Sequence, residues 1–393
     1  MVTVNMQTSY KRVVFLYPPD ALWGIWDGFA KYASLHNQWL LYTPHSLQFT
    51  PDETEILHWL KQFKPDGLIV PNSRKDLDSI LELGIPTIVH RNLDKQTPDR
   101  PVLLGNSEAI GKMAAEHLLD LGFKYFGYYG FEDAVPLRER SQSFSKRIAE
   151  AGFGTSIFLK PRPRNLSFWN KEPELLADWL KSLPKPVGIM AGDDMLSVYL
   201  LMGCRIAELL VPEQVAVVGV SNRKAICETQ IPKLSSVALN HERAGYEAAE
   251  LLNKLMENKA QTAEQTVMIE PTHVVKRQST DFLAIEDHEV AKAVNFIQRD
   301  SIKLLQVTDV VELTSVSRNI LQKRFKKVLG RSIYHEIRRV RISKIAEMLI
   351  STNMSISEIA LAMGFSDVDH ISRYFRKSKG MTPLAYRKKY GSK

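Results

Sequence analysis

The sequence contains few cysteines and no long apolar segment. Its 393 residues include two cysteines, Cys204 and Cys227, which show neither metal-ligand spacing nor the pattern of a disulfide framework. No apolar run reaches the roughly 18 residues that a membrane-spanning helix needs. The first residues, Met1 to Tyr10, are polar and lack the apolar core of a signal peptide. These absences exclude a disulfide-stabilised secreted protein and predict a soluble protein of the cytoplasm.

Sequence motifs for common enzyme chemistry are also missing. No Gly-rich dinucleotide fingerprint follows the first predicted strand, Val13–Tyr17, and no phosphate-binding loop occurs elsewhere. The chain has no metal-ligand cluster and no Ser-His-Asp or Cys-His pattern with a familiar spacing. We therefore expect no cofactor, no metal and no enzymatic activity. A sugar-processing enzyme with a basic appendage stays as a distant alternative, which detectable turnover of any sugar would favour.

Positive charge is concentrated towards the C-terminus. Residues 286–393 contain 21 Lys and Arg against 11 Asp and Glu, whereas residues 1–285 contain 31 against 33. The corresponding net charges of +10 and −2 account for the +8 of the whole chain. A chain of this length predicts two or three domains. A basic segment beside a nearly neutral one is typical of a nucleic-acid-binding module attached to another domain.

Residues 1–275 alternate short β-branched or aromatic runs with amphipathic helical stretches. The first series begins at Val13–Tyr17, and a second begins at Tyr125–Tyr129 and includes Val215–Val220. This alternation predicts parallel sheets built from βαβ units. We expect an α/β effector domain of two doubly wound lobes, with a ligand cleft between them beyond the carboxyl ends of the strands. The polar, aperiodic segment 276–289 predicts a linker, and residues 290–393 are predicted to be all helical.

The clearest motif is a helix-turn-helix pattern near the C-terminus. It consists of Ile356–Ser366 followed by Asp367–Lys377, with Gly364 where the chain must reverse. A glycine suits this turn because positive φ costs a residue with a Cβ atom more. Apolar residues recur at helical spacing in both segments, which leaves a polar, partly basic face on the second helix. A short helix with such a face fits the major groove of DNA.

A second, less obvious copy lies upstream. It consists of Gln306–Ser315 followed by Val316–Lys327, with Ser317 as the expected N-cap. The expected buried stripe of its second helix is Leu321, Phe325 and Val328. Between the copies, 332–349 is predicted to form one helix of roughly 27 Å, which is near the roughly 34 Å rise of one turn of B-DNA. Two recognition helices at this separation would enter successive major grooves on one side of a duplex.

Residues 286–390 resemble the AraC/XylS family of transcription activators, and the closing Gly380–Arg387 resembles the terminal signature of that family. The resemblance implies a DNA-binding domain in which both second helices contact DNA. This chain departs from the family in having Lys323 where arginine is frequent, and two acids, Asp367 and Asp369, in the second recognition helix. Because lysine lacks the bidentate geometry of arginine, we expect Arg373 to be the better base reader. The predicted DNA-binding residues are Arg318, Asn319, Gln322, Lys323, Lys326, Val368, Asp369, His370, Arg373 and Arg376.

The alternative for this basic surface is that it is only solvated or internally paired. Phe325, Tyr374 and Phe375 are expected in the core, where they would not stack on bases. Glu336 and the arginines of the connecting helix, Arg338, Arg339 and Arg341, have the alternative role of ion pairs within the module. The two motifs, the connecting helix and the net charge nevertheless all favour DNA binding.

Residues 11–280 resemble the periplasmic-binding-protein fold used as the effector domain of LacI/GalR-type regulators. The resemblance lies in Asn106–Gly122, Gly188–Asp194 and Val217–Asn222. An effector domain of this type ahead of an AraC-type module is the domain order of the xylose operon activators, which Leu176–Pro184 and Leu234–Val237 also resemble. This resemblance implies a homodimeric activator of sugar-catabolic genes that binds D-xylose and operator DNA, with RNA polymerase as a further partner.

A sugar site needs planar donors and acceptors for adjacent hydroxyls and an aromatic face for the ring. The predicted ligand-binding residues are Asp20, Trp23, Arg140, Asp193, Asp194 and Asn222. Three of them have a structural alternative, because Asp193 is placed to cap the next helix, Trp23 to lie in the core, and Arg140 to pair with Glu132 or Asp133. Where such regulators commonly have an acid, this chain has Ser221, which lacks the two oxygens of a carboxylate. Either Asn222 or Asp193 or Asp194 compensates, or the effector is a different sugar.

The sequence thus predicts a ligand-controlled transcription activator in which bound effector favours one lobe orientation and the dimer passes this change to the DNA-binding modules. Repression, a different sugar and a non-sugar effector stay open within this class. An extracellular solute-binding protein is a third hypothesis, against which the lack of a signal sequence and the fused basic module both argue.

Overall fold

The computed structural model describes residues 10–17, 23–36, 39–44, 53–91, 100–162, 166–257 and 265–391, and no helix in these ranges is long and apolar enough to cross a membrane. Residues 10–106 form β1 (Lys11–Phe15), α1 (Trp23–His36), β2 (Trp39–Tyr42), α2 (Glu53–Phe63), β3 (Gly67–Pro71), α3 (Leu77–Leu81), β4 (Thr87–His90) and β5 (Val102–Gly105). Residues 107–275 form α4 (Ser107–Asp120), β6 (Tyr125–Phe131), α5 (Val135–Glu150), β7 (Thr155–Lys160), α6 (Leu166–Ser182), β8 (Val187–Ala191), α7 (Asp194–Ile206), β9 (Val215–Val220), α8 (Lys224–Cys227), β10 (Ser235–Leu239), α9 (His241–Met256), β11 (Thr266–Ile269) and β12 (Pro271–Val275). Residues 288–390 form α10 (His288–Arg299), α11 (Val307–Glu312), α12 (Arg318–Leu329), α13 (Ile333–Ser351), α14 (Ile356–Ala362), α15 (Val368–Lys379) and α16 (Pro383–Tyr390).

One compact unit is the N-terminal lobe, which comprises the described residues of Met1–Asn106, Ala134–Pro136 and Asn240–Glu270. Its sheet is parallel, in the order β11-β5-β4-β3-β1-β2. Val14 packs with residues of α2 and β3, whereas its neighbour Phe15 contacts the rings of α1. Successive residues of β1 therefore pack on opposite faces, and helices on both faces explain why the strand is a continuous apolar run.

The other unit contains the second lobe (107–133, 137–239 and 271–284) and the helical module (288–391). The sheet of the second lobe has the order β12-β10-β9-β8-β6-β7, and only the β10–β12 pair in it is antiparallel. Tyr128 of β6 contacts Phe144 of α5, and Tyr129 contacts Phe158 on the other face. This lobe is thus also a doubly wound α/β layer, as the sequence rhythm predicted.

The segment 276–289, predicted as a linker, packs against both neighbours. Ser279 and Thr280 are fully buried, and the Ser279 hydroxyl donates to the Val217 carbonyl oxygen over 2.7 Å. Residues 282–284 pack on the core of the second lobe, and Ile285 belongs to the core of the helical module. The segment therefore connects the two cores through buried side chains. The exact domain boundaries stay predictions.

The helical module has two apolar cores joined by α13. The first core includes Leu321 and Phe325 of α12, and the second includes Ile371 and Phe375 of α15. The buried pairs recur at an offset of 50 residues, as do Gly330 and Gly380, which end the two helices with φ of +69° and +72°. The module is therefore a tandem repeat. Val328 is 38% exposed, so its predicted burial was wrong, because the stripe continues through Leu329.

Candidate nucleic-acid interface and candidate effector site

The second helix-turn-helix motif is held by side chains that satisfy free backbone groups. In α14, Ser355 and Glu358 form a reciprocal capping box. The turn uses Gly364 with φ of +72°, as expected. Asp367 is the N-cap of α15 and accepts from the His370 backbone N–H at 2.7 Å. Asp367 therefore has a structural role at the helix start, which explains an acid in a DNA-facing segment.

The first motif is fixed differently, because its turn lacks a glycine. Gln306 and Asp309 form the capping box of α11, and the Ser315 backbone N–H donates to Glu289 of α10 over 2.7 Å. Ser317 is the N-cap residue of α12, although its side chain makes no capping hydrogen bond. The backbone of the turn is thus anchored to a neighbouring helix, and α12 starts where the sequence predicted.

The predicted DNA-binding residues lie on the outer faces of α12 and α15. Nine of the ten are exposed and Gln322 is half-buried, so nearly all are accessible to a partner. Within the part of the chain that the structure describes, none of them forms an ion pair. The contacts that do occur are local, such as the 3.4 Å contact from Arg373 Nε to the Asp369 carbonyl oxygen. These cations are therefore not neutralised by the module itself, and DNA contact by each stays a prediction.

The connecting helix α13 carries an ion cluster that joins the module to the second lobe. Glu336 is fully buried and accepts from Arg339 at 2.6 and 2.9 Å and from Arg331. The same two arginines contact Asp120, the last residue of α4, at 2.6 Å from Arg339 Nη1 and 2.9 Å from Arg331 Nη2. Burial alone would raise the pKa of Glu336, but hydrogen bonds and charge from Arg339 and Arg331 lower it. Arg331 and Arg339 thus each pair with Glu336 of the module and with Asp120 of the second lobe.

The three arginines of α13 that had the alternative of ion pairing behave differently. That alternative is confirmed for Arg339. Arg341 is buried and donates to backbone carbonyls of Ile302, Lys303 and Met363, so it braces the loop before α11 and the turn after α14. Arg338 forms no ion pair among the described residues, and its guanidinium lies 5.5 Å from the Tyr374 ring centre.

A second contact between the lobe and the module lies at β12. The Tyr386 hydroxyl of α16 is 3.5 Å from the Thr272 carbonyl oxygen. Next to it, burial lowers the pKa of His273, with smaller influences from Glu347 and Lys344 of α13. The module thus contacts the second lobe through α4, at Asp120, and through β12, at Thr272. Each of these elements is the first one after the chain passes from the N-terminal lobe to the second lobe, since α4 begins at Ser107 and β12 at Pro271.

Arg140 is the most distinctive predicted effector residue. It is 9% exposed and donates through Nη1 to the carbonyl oxygen of Gly192, at the end of β8, over 2.7 Å. Its Nε has no hydrogen-bond partner among the described residues. The alternative pairing with Glu132 or Asp133 was wrong, because the Arg140 guanidinium is directed to the Gly192 carbonyl oxygen and forms no ion pair with either carboxylate among the described residues. Burial lowers the pKa of Arg140, and such a cation favours an additional acceptor.

The two neighbouring aspartates have different environments. Asp193 is the N-cap of α7 and accepts from the Leu196 backbone N–H at 2.7 Å, so its capping alternative is confirmed. Its residual exposure still leaves it accessible beside Arg140. Asp194 is 1% exposed and accepts from the Ser236 hydroxyl at 2.6 Å and the Arg223 backbone at 2.7 Å. Burial raises the pKa of Asp194 to about 6. Asp194 is therefore a framework group, and Asp193 is the better placed of the two for a ligand.

Ser221 and Asn222 form a left-handed turn after β9. Their φ angles are +101° and +50°, which are uncommon for residues with side chains and often occur at functional sites. The Asn222 Oδ1 atom accepts from Arg277 at 2.8 Å, and the Asn222 backbone donates to Ser236, the partner of Asp194. The structure thus brings Asn222 and Asp194 to one hydrogen-bonded group. Ser236 and Arg277 were missed because nothing in their local sequence shows that they follow other strands into this place.

In the N-terminal lobe, Asp20 lies outside the described residues, and so does the side chain of Trp23 at the start of α1. The structure adds a polar pair at the strand ends of this lobe, where His90 Nδ1 lies 2.7 Å from the Tyr17 hydroxyl. Burial lowers the pKa of His90 to about 4, so the ring is neutral at pH 7. Asn72, buried at the end of β3, donates through its backbone to the His90 carbonyl oxygen over 2.9 Å. Tyr17, Asn72 and His90 were not among the predicted ligand-binding residues.

Two domain families match this chain. The periplasmic binding protein-like domain matches residues 115–280, and a helix-turn-helix domain matches residues 310–389. The xylose operon regulatory protein of Escherichia coli is 28% identical over 97% of this chain and 98% of its own length. The protein of that name from Haemophilus influenzae is 29% identical over 84% of this chain and 86% of its own length.

Solved structures agree with these sequence relatives. The structure of a xylose-binding transcription activator has a TM-score of 0.60 and 25% identity, and covers 98% of this chain and 100% of that one. The transcription regulator GntR from Chromobacterium violaceum has a TM-score of 0.55 at 18% identity over 69% of this chain, and it shows the shared fold of the effector domain. The predicted fold class is therefore confirmed: a two-lobed α/β domain followed by a helical domain with two helix-turn-helix motifs.

Proposed function

Because this chain is a transcription regulator homologous over nearly its whole length to the xylose operon regulatory proteins, we propose that it activates sugar-catabolic genes under the control of D-xylose. The observation that carries the proposal is the pairing of two kinds of surface in one chain. The exposed, unneutralised cations of α12 and α15 fit a polyanion, whereas the buried strand-end groups around Arg140 fit a small polar ligand.

DNA is the partner that the module fits best. Its two repeated helices present Asn319, Gln322 and Lys323 on α12, and His370 and Arg373 on α15. Amide and guanidinium groups read base edges in the major groove, while lysines bind phosphates. A tandem arrangement makes an asymmetric, two-part operator the expected target, with one part for each recognition helix.

A sugar fits the second lobe because its polar groups are buried and directional. Arg140 has a free Nε donor, and Asp193 supplies acceptors next to it, so adjacent hydroxyls would be bound by one cation and one carboxylate. Ser221 replaces the acid that is common in related regulators, and we assign its part in recognition to Asp193. Asp194 is excluded from this part because its oxygens already accept from Ser236 and Arg223.

We propose that the effector signal reaches DNA through the contacts of α4 and β12. If ligand binding shifts the first residues of α4, the shift would reach Asp120 at its other end, since a helix of 14 residues behaves as one rigid element. A shift of the start of β12 would reach the module through Thr272 and its contact with Tyr386. Homodimer formation and contact with RNA polymerase belong to this proposal as further steps of activation in the cytoplasm.

The test is the thermal stability of the purified chain with a panel of pentoses, hexoses and their phosphates. A ligand at 100 times its dissociation constant stabilises the folded state by about 2.7 kcal/mol. We expect D-xylose to raise the melting temperature and its epimers to do so less. A larger shift with another sugar would assign a different effector to the same site, and no shift with any sugar would contradict sugar control.

A further inference from the structure

A groove between the two helix-turn-helix motifs includes Tyr334, Arg338 and Lys377, which have no part in the function described so far. Its volume is about 940 Å³, and its floor is formed by α13 with the segments before α11 and after α14. Both recognition helices contribute to its walls, α12 through its first residue and α15 through one face. The polar side chains that give the groove its character are Arg318, Tyr334, Arg338, His370, Arg373 and Lys377.

The groove is strongly biased in charge. Among the described residues that line it, five are Arg or Lys and none is Asp or Glu. Some cations elsewhere in the module do occur beside acids, as in the pairs of Arg299 with Asp300 and Lys344 with Glu347. A concave surface lined by one sign of charge attracts counter-ions more strongly than isolated charges do. The groove therefore has the electrostatic character of an anion site.

Arg338 is the residue that points to a ligand most directly. It is half-buried, and its Nε atom is shielded from solvent without a hydrogen-bond partner among the described residues. The other two arginines of this part of α13 donate to groups of the protein itself, Arg339 to Glu336 and Asp120 and Arg341 to backbone carbonyls. The guanidinium of Arg338 is held in place 5.5 Å from the Tyr374 ring centre. An oriented donor without an acceptor is what a bound anion would complete.

We propose that this groove binds the phosphate backbone of the DNA segment that lies between the two stretches read by α12 and α15. The inference rests on the proposed DNA binding and adds a third contact to it. Arg338 and Lys377 neutralise backbone phosphates there, and the Tyr334 hydroxyl, on a side chain that is 57% exposed, donates to a phosphate oxygen. DNA is favoured over a free phosphate because the groove is far larger than one ion and continuous with both recognition helices.

This assignment gives Arg338 a positioning role. A contact to the backbone carries no base information, but it fixes how the duplex enters both helices. The sequence preference of each recognition helix should therefore survive its loss, whereas the affinity for every DNA sequence should fall.

The experiment measures operator affinity over a series of salt concentrations for the full chain and for Arg338→Met, with Lys388→Met as a control on the exposed face of α16. Removing one interaction with a phosphate lowers the slope of log affinity against log salt by about 1. We expect this reduction for Arg338→Met and Lys377→Met, an unchanged ratio of specific to non-specific affinity, no change for Lys388→Met, and recovery of the slope in Arg338→Lys.

Three outcomes would overturn the inference. The first is an unchanged salt slope in both Arg338→Met and Lys377→Met while the wild-type chain binds its operator. The second is a loss of preference at one base pair, which would make Arg338 a base reader. The third is competition by millimolar inorganic phosphate with no effect of the variants on DNA binding, which would assign the groove to a free anion. If the wild-type chain binds no DNA, the proposed function fails instead, so the two failures are distinguishable.

Discussion

The helical module and the second lobe use polar side chains in opposite ways. In the module, cations such as Lys323 and Arg373 are exposed and leave their charge to solvent or a partner. In the second lobe, Arg140 and Asp194 are buried, and Asp194 is satisfied by its neighbours. An interface for a large polyanion needs accessible charge, whereas a site for a small sugar needs directed groups that a wrong ligand leaves unpaired. The two surfaces thus differ as their proposed partners differ.

Where the helical module contacts the second lobe, the polar side chains form an ion cluster that belongs to both. Asp120 belongs to the second lobe, yet its partners Arg331 and Arg339 belong to the module. These half-buried charges are not among the predicted DNA-binding or ligand-binding residues. We therefore expect changes at Arg140 to affect sugar alone, changes at Arg373 to affect DNA alone, and changes at Asp120 to affect the link between them.

The largest effect is expected for Arg140→Met, which keeps the apolar stem and removes the guanidinium. Loss of hydrogen bonds from a charged donor costs about 1.5–3 kcal/mol, so affinity for the sugar should fall roughly 10- to 150-fold. Calorimetric titration with D-xylose measures this, and DNA affinity without sugar should not change. Arg147→Met, on the same helix and paired with Glu116 at the surface, is the control. Equal sugar affinity in Arg140→Met and wild type would remove Arg140 from the site.

Next in size is Arg373→Ala in the second recognition helix. Losing a bidentate base contact costs about 1–3 kcal/mol for the specific site and weakens the preference at one base pair. Binding to a set of operators with single base changes would show this, and the thermal shift with sugar should match that of the wild type. An unchanged footprint and affinity would mean that Arg373 does not read a base.

Asp120→Asn should weaken the link between the two regions. Coupling between two sites is typically worth about 1–3 kcal/mol, and we expect the variant to reduce the sugar-dependent change in DNA affinity by about 1 kcal/mol. The readout is the ratio of DNA affinities with and without saturating sugar, with the exposed Glu213→Gln as control. A wild-type ratio in Asp120→Asn would show that the ion cluster is only structural.

The smallest effect concerns His117 of α4, whose Nε2 lies 3.0 Å from the Thr280 hydroxyl. Burial, aided by Lys276 and Arg339, lowers the pKa of His117 from 6.5 to about 3. Its folded-state pKa is therefore below the unfolded value, so stability is fully present above pH 6.5 and decreases as the pH falls towards 3. Between about pH 7 and 5.5 the loss is about 1 kcal/mol.

His117→Gln should remove that part of the pH dependence. Denaturant unfolding at about pH 7 and pH 5.5 would measure the difference, and the exposed His58→Gln serves as control. The same loss of stability in wild type and His117→Gln would place the titration on another group.

The sequence predicted the module more completely than the effector site. The cores of α12 and α15, the start of α12 after Ser317 and the turn at Gly364 all follow from patterns within about a dozen residues. Such local signals suffice because a helix-turn-helix face is built from one continuous stretch of chain. The wrong prediction for Val328 concerned two neighbouring positions, Val328 and Leu329, which lie seven and eight residues after Leu321. With 3.6 residues per turn, both positions lie near the same face of the helix as Leu321, so the sequence pattern does not separate them clearly.

The effector site could not be predicted to the same depth, because its partners are far apart in the sequence. Asp194 was predicted as a ligand-binding residue, but its place is decided by Ser236 and Arg223, and that of Asn222 by Arg277. Likewise, nothing near Asp120 indicates that it meets Arg339 of α13, 219 residues away. Resemblance to known regulators indicated which strand ends to consider. Only the folded structure shows that Asp194 is buried and hydrogen-bonded within the protein, whereas Asp193 is accessible to a ligand.

The most direct test of the account is the affinity of the full chain for its operator with and without saturating D-xylose. If one chain joins a sugar site to a DNA-binding module, the sugar should change the operator affinity by roughly 5- to 150-fold, and the operator should change the sugar affinity by the same factor. Equal operator affinity in both conditions, with the sugar shown to be bound, would contradict the central claim that the two regions are coupled.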